Sequence, residues 1–294
     1  MFINAIEIAK QFTRPIHTIE RFYGSQEVYP GAATLFFVNP DGWALTCRHV
    51  ADVIIGADQL LKRKAAFVAD HKAMQGKKKE KQIIKELEQK YQVTRKSVFE
   101  IRNNFVNCVE GTLNCQIIKH PKIDVALLHF TNFSKLLCTN FPIFPKDSSS
   151  LKQGKFLCRL GFPFPEFTNF EYTANDDTIN WTSTGRTDTP IFPIEGMLTR
   201  HLIAEQNQVV GFELSTPGLR GQSGGPAFDS DGKVWGMQSA TNHLDLNFDV
   251  NMDVVRNGEK KKVHDSAVLH VGHCIHIDVL KSFMQQHGVA FQEG

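Results

Sequence analysis

A chain of 294 residues, 41% of them apolar, is long enough to bury a substantial core and suits one large domain or two small ones. Its formal net charge of +2 gives no sign of a nucleic-acid-binding or acid-seeking surface, and no apolar run reaches the roughly 18 residues of a membrane-crossing helix. Glu7 interrupts the opening stretch where a secretory signal needs an uncharged apolar run, so the expectation is a cytoplasmic protein whose Cys47, Cys108, Cys115, Cys138, Cys158 and Cys274 are reduced thiols.

In chain order, residues 1–25 read as an N-terminal extension. From Ala32 to Thr46 the chain reads as a β-hairpin: apolar Leu35-Phe36-Phe37-Val38, a turn at Asn39-Pro40-Asp41-Gly42, then Trp43-Ala44-Leu45-Thr46. His49 follows directly. The stretch 57–105 differs from everything around it, with Ile83, Ile84, Leu87 and Tyr91 at helical spacing among long charged side chains. It carries 13 Lys/Arg against 6 Asp/Glu, a net +7, which leaves −5 for the rest of a chain of net +2. A basic helical insertion is therefore predicted. Its Lys77-Lys78-Lys79 run reads as a solvated helix face, and nucleic acid is not expected as a partner.

Short apolar runs then recur at Cys115–Lys119, Val125–Phe130, Lys155–Leu160, Val209–Leu214 and Lys233–Gln238. Many short strands punctuated by Gly and Pro argue for a barrel or a sandwich. Gly221-Gln222-Ser223-Gly224-Gly225-Pro226 holds a serine between glycines, which lets the backbone bend sharply enough to present a hydroxyl and to aim the Gly221 and Ser223 amides at one point. His270, His273, Cys274 and His276 have the residue types of a metal site. Strand alternation puts His273 on the opposite face from the other three, so strand residues and no metal are expected. From Ile277 to Met284, apolar residues at 279, 280, 283 and 284 behind Asp278 predict a closing helix.

His49 in Gly42-Trp43-Ala44-Leu45-Thr46-Cys47-Arg48-His49, Asp124 in Lys122-Ile123-Asp124-Val125-Ala126-Leu127-Leu128, and Ser223 in its glycine loop stand in the order His, Asp, Ser. That order and these motifs resemble the trypsin/chymotrypsin superfamily, and the strand, Asp-Gly turn and strand before His49 resemble its HtrA/Deg branch, without a C-terminal peptide-binding domain. The resemblance implies a mainly β fold of two antiparallel six-stranded barrels: 26–145 with the insertion, then 146–294 with the closing helix. It implies a serine endopeptidase in which His49 is the base, Asp124 its orienter, Ser223 the nucleophile, and the Gly221 and Ser223 amides the oxyanion hole, with no cofactor.

In the family's primary pocket, Pro217 stands where trypsins carry an acid, and Ser239-Ala240-Thr241 matches one wall. Thr241 in place of glycine narrows the entrance, so small or medium apolar side chains are expected, unless Asp245 or Asp249 enters from the next loop. Gln222 replaces the Asp that pairs with a newly cut N-terminus in secreted trypsins, so control by another route is implied. Substrates are expected to be proteins or peptides, with a regulatory protein docking on 57–105. The rival reading is a pseudo-protease that keeps the fold as an interaction module.

Overall fold

The computed structural model describes residues 1–256 and 258–294. Helix α1 (Ile3–Phe12) buries Ala5, Ala9 and Phe12, one stripe at helical spacing, and passes directly into β1 (Thr13–Phe22). Strands β2 (Tyr29–Phe37) and β3 (Trp43–Thr46) form the expected hairpin. Then come helices α2 (Arg48–Met74) and α3 (Glu80–Tyr91), followed by β4 (Val98–Phe105), β5 (Val109–Glu110), β6 (Asn114–Lys119), β7 (Ala126–Thr131) and β8 (Lys135–Leu136).

Six of these strands make one antiparallel sheet in the order β4-β1-β2-β3-β7-β6. The segment 1–25 is thus no extension: β1 sits inside the sheet between β2 and β4. Its odd-numbered positions from Thr13 to Arg21 are buried, as a strand requires, but they include His17 and Arg21, polar residues that hide the alternation. The insertion is also shifted. Helix begins at Arg48, and Val98–Phe105 is sheet.

The second half carries β9 (Ile143–Phe144), β10 (Phe156–Gly161), β11 (Phe170–Thr173), β12 (Thr178–Trp181), β13 (Phe192–Ile203), β14 (Val209–Leu214), β15 (Pro226–Phe228), β16 (Val234–Arg256), β17 (Glu259–His276), α4 (Ile277–Gln286) and β18 (Gln292–Glu293). Strands β10-β13-β14-β17-β16-β15 close into a six-stranded barrel. Only this half is a closed barrel. In the first sheet the edge strands β4 and β6 do not pair with each other, and α2 packs against both of them. All five apolar runs fall on strands, and α4 buries Val279, Leu280, Phe283 and Met284 as its spacing requires.

One apolar core spans both halves, from Phe12, Phe36 and Phe130 to Phe212 and Phe228. The termini tie the halves together. Phe2 meets Phe228 edge-on at 6.5 Å, while Asn39 donates to the Ala290 carbonyl and β18 pairs with β9. A separate cluster of Phe67, Ile83, Leu87, Val93 and Phe99 fastens the helical hairpin to β4. Beside it the buried Glu100 carboxylate takes Lys64 Nζ at 2.6 Å, Thr178 Oγ1 at 2.6 Å, and Arg102 and Arg21 at 3.2 and 3.6 Å. All six cysteines are free.

Among the described residues, no helix is long and apolar enough to cross a membrane.

Candidate active site

Strands β3 and β7 run antiparallel with Thr46 opposite Ala126, so the chain leaving β3 and the chain entering β7 lie side by side. That register brings His49 to Asp124 across 75 residues of sequence. His49 lies in the first turn of α2, where backbone N–H groups lack helical partners, and its amide donates to Asp124 Oδ1 at 3.0 Å. The ring Nδ1 lies 3.1 and 2.9 Å from the two oxygens of the same carboxylate. Asp124 therefore fixes both the backbone and the ring of His49, and the positive end of α2 favours its charge. Burial works to raise the Asp124 carboxyl, but hydrogen bonds from His49 and Ser239 outweigh it and hold it down to about 2.

The Ser223 loop rests on the first sheet through Thr34. The Thr34 amide donates to the Ser223 carbonyl at 3.0 Å and its hydroxyl to the Gly221 carbonyl at 2.7 Å, while Thr46 donates to the Thr34 carbonyl. Gly221 and Gly224 both have positive φ, at 98° and 88°. A Cβ on Gly221 would stand 2.5 Å from the Phe162 carbonyl oxygen, and one on Gly224 would run into the Thr34 carbonyl. Side chains are excluded on both counts. Gln222 is wholly buried, accepts from the Leu219 amide and donates to the Phe192 carbonyl, each at 3.1 Å, and so pins the loop from behind. Among the described residues no protein acceptor takes the amides of Gly221 and Ser223.

Ser223 Oγ donates to the Ser239 carbonyl at 3.1 Å, and no hydrogen bond joins it to His49 among the described residues. Ser239 Oγ in turn donates to Asp124 Oδ2 at 2.5 Å. Ser239 thus serves the carboxylate, from a position where the pairing of β16 with β17 shifts register. Sequence reasoning had the residue but not this second task. Thr34 was missed altogether. Its only signal is a hydroxyl inside an otherwise apolar strand.

The remaining pocket residues close on themselves. Pro217 offers its carbonyl to Arg159 Nη2 at 3.1 Å, and Thr241 Oγ1 donates across to the Gly218 carbonyl at 2.6 Å. Asp245 and Asp249 lie out on the long β16–β17 hairpin and are exposed, so neither enters the pocket. Cys47, beside Asp124, donates to the Gln238 carbonyl; burial, and then the Asp124 charge, pushes its thiol well above the usual range. The histidine cluster is dispersed: exposed His270 meets His243, while His276 is buried and caps α4 by accepting from the Asp278 amide.

Residues 33–237 match the family described as the trypsin-like peptidase domain, a span that contains His49, Asp124 and Ser223. No curated protein matches the chain. Among solved structures it is similar to the HtrA-type protease AlgW with a tripeptide, at 12% identity and a TM-score of 0.46, covering 97% of this chain and 62% of that one. It is also similar to the Rv3671c protease from M. tuberculosis in its active form, at 12% identity and a TM-score of 0.47, covering 99% and 88%. The chain thus spans less than two thirds of the length of AlgW. On the family match over most of its length, this chain belongs to the trypsin-like peptidase domain family.

Proposed function

We propose that the chain is a serine endopeptidase that cleaves proteins or peptides through Ser223, His49 and Asp124 and an acyl-enzyme. The observation that carries this reading is the double hold of Asp124 on His49, at the ring and at the amide, beside a glycine loop with two unused amides. Ser223 Oγ turns from the Ser239 carbonyl toward His49 Nε2 and attacks the peptide carbonyl carbon, and the hydroxyl proton passes to Nε2. The carbonyl oxygen becomes an oxyanion held by the Gly221 and Ser223 N–H groups, each such donor contributing about 3–4 kcal/mol in comparable sites. Collapse breaks the C–N bond, His49 returns its proton to the leaving amine, and water then releases the acyl group by the same steps.

Asp124, anionic throughout the physiological range, holds the imidazole in the tautomer whose Nε2 is free to accept. The loop that bears Ser223 is held by Gln222 and Thr34, so an ion pair between a carboxylate at 222 and a new N-terminus is not part of its activation. Free cysteines support a reducing, cytoplasmic setting. Regulation through a partner on the helical insertion belongs to the same proposal: α3 exposes Lys81 and Lys85 on its outer face.

A fluorophosphonate probe tests the reading. Wild type should label at Ser223, Ser223→Ala should not, and Asp124→Asn should keep the fold while losing about 10⁴-fold in kcat. A folded wild-type protein that resists the probe would sink the proposal.

A further inference from the structure

On one flank of Ser223, the primary pocket that accepts the acyl-side residue in this family is filled by the protein's own side chains. Arg159, wholly buried, sends Nη1 to Gln238 Oε1 at 2.7 Å and Nη2 to Thr216 Oγ1 and the Thr216 carbonyl at 2.6 and 3.0 Å. Gln238 Nε2 donates to the Ala240 carbonyl at 2.6 Å, and Thr241 bridges to Gly218 over the same space. The packing is tight enough that a Cβ on Gly218 would collide with the Gln238 amide and one on Gly272 with the Arg159 guanidinium. A long side chain on the acyl side has no room there.

On the other flank, a cavity of about 400 Å³ opens directly from Ser223 and His49. Its apolar wall is built from Ala32 and Ala33 of β2, Val50, Val53 and Ile54 of the first turns of α2, and Pro163, while Thr18, Glu20, Asn103 and Arg220 line the rest. Val53 is a large apolar side chain left 41% exposed at its mouth. A peptide carbonyl seated at Ser223 directs its acyl part to the first flank and its leaving amine to the second. The volume exceeds that of a single aromatic side chain and lies in the range of specific ligand pockets.

From this asymmetry we infer that selectivity lies on the leaving-group side: the enzyme cuts before a bulky apolar residue and asks only for a small residue ahead of the cut. The inference rests on the serine-endopeptidase reading and assigns Val50, Val53 and Ile54 to substrate recognition, with Arg159, Gln238 and Thr241 as the plug that limits the acyl side. The first two turns of the insertion thereby become a wall of the substrate cleft.

Partitioning of an acetyl-enzyme isolates the leaving-group flank, because acetyl requires nothing of the filled pocket. Wild type is reacted with p-nitrophenyl acetate in the presence of glycinamide, leucinamide, phenylalaninamide or glutamic acid α-amide, and the ratio of aminolysis to hydrolysis is read for each. Leucinamide and phenylalaninamide should exceed glycinamide by about tenfold to a hundredfold, the range a well-fitted apolar pocket gives. Glutamic acid α-amide should fall at or below glycinamide. Val53→Glu should collapse the apolar preference, with hydrolysis of the acetyl-enzyme reporting the state of Ser223.

A second variant, Thr241→Gly, should admit larger acyl groups in a series of p-nitrophenyl esters without changing the ranking of the amines. An acetyl-enzyme with equal partitioning for all four amines overturns the inference and leaves the protease reading standing. So would a wild-type preference for long acyl side chains. Absence of any acetyl-enzyme from folded wild type overturns the protease reading itself.

Discussion

Two excursions leave the body of the molecule, the α2–α3 hairpin from the first sheet and the β16–β17 arm from the second barrel, and they are secured in opposite ways. The helical one is the more polar in sequence, yet it buries Phe67, Ile83 and Leu87 against Phe99 of β4 and sends Lys64 to buried Glu100. Through Thr178 and the Ile179 amide the same carboxylate reaches β12 of the second half. Part of the charge on its outer surface is paired locally, as in Lys78–Glu86 and Lys90–Asp70. The arm, by contrast, is a two-stranded ribbon in which no described side chain between Asp245 and His270 is buried. Phe248, Met252 and Val255 stand more than half exposed. Net charge therefore says little about which excursion belongs to the core. Where each sends its one or two anchoring side chains decides it.

The sharpest way to break this contrast is to remove the buried anchor. Glu100→Ala leaves Lys64 buried without its carboxylate and Arg21 with Asp177 alone, at 2.9 Å, and the loss of one partner from such a network costs about 3–5 kcal/mol. The urea midpoint should fall accordingly, and α2–α3 should lose hydrogen-exchange protection along with β12. A midpoint unchanged within error would mean that the helical excursion is as dispensable as the arm. Phe67→Ala probes the same anchor through packing, since its ring touches Tyr23, Tyr91 and Phe99 with centroids 5.4–5.7 Å away. About 3 kcal/mol is expected, the lower end for deleting a buried Phe.

What could be read in the residues follows the same division. The β2–β3 hairpin, the five short apolar strands and α4 announce themselves because their burial is carried by apolar side chains at regular spacing, and the Ser223 loop because glycines flank its serine. Strand β1 does not, since its inward positions include His17 and Arg21, the latter paired with Glu100 and lying 5.1 Å from the centre of the Tyr172 ring. The start of α2 was invisible for another reason. Cys47 makes no side-chain cap there; the capping carboxylate is Asp124, remote in sequence. The arm was passed over although Leu244, Leu246, Phe248, Val250, Met252 and Val254 alternate with Asp and Asn as a strand would; none of its described side chains beyond Asp245 is buried, so that alternation points to no core. At the site, His49, Asp124 and Ser223 were legible from motif and order, whereas Thr34, Gln222 and the second task of Ser239 depend on contacts between the two halves.

Acid should distinguish the two excursions more gently than mutation. Burial favours a raised Glu100 pKa, but hydrogen bonds from Lys64 and Thr178 and the Lys64 charge prevail and hold it below the usual glutamate range. A depressed carboxyl gives stability that is present above its unfolded pKa, near 4.5, and is lost as pH falls through the folded value. Asp124 acts the same way between 3.8 and about 2. Stability measured from pH 6 downward should therefore decline below about pH 4.5. Glu100→Gln should flatten the upper part of that decline. A Glu100→Gln profile parallel to that of wild type would show that the folded carboxyl is not depressed.

The smallest effect is expected from the arm itself. Replacing residues 246–267 by a two-residue Asn-Gly turn would join the strands through the Asp245–Val268 pair, next to Leu244–Leu269, and leave the barrel pairs Gly236–His276 and Met237–Ile275 intact. A ribbon with neither face covered contributes little of its own, as isolated two-stranded hairpins are marginal in water. The shortened chain should match wild type within about 0.5 kcal/mol in urea and label equally at Ser223, because among the described residues the change touches no buried side chain. Limited digestion with trypsin should point the same way, with Lys260, Lys261 and Lys262 cut before the basic residues of α2 and α3. If the shortened protein instead lost several kcal/mol, the arm would have to be secured by contacts beyond its own two strands, and the opposition between the two excursions would fail.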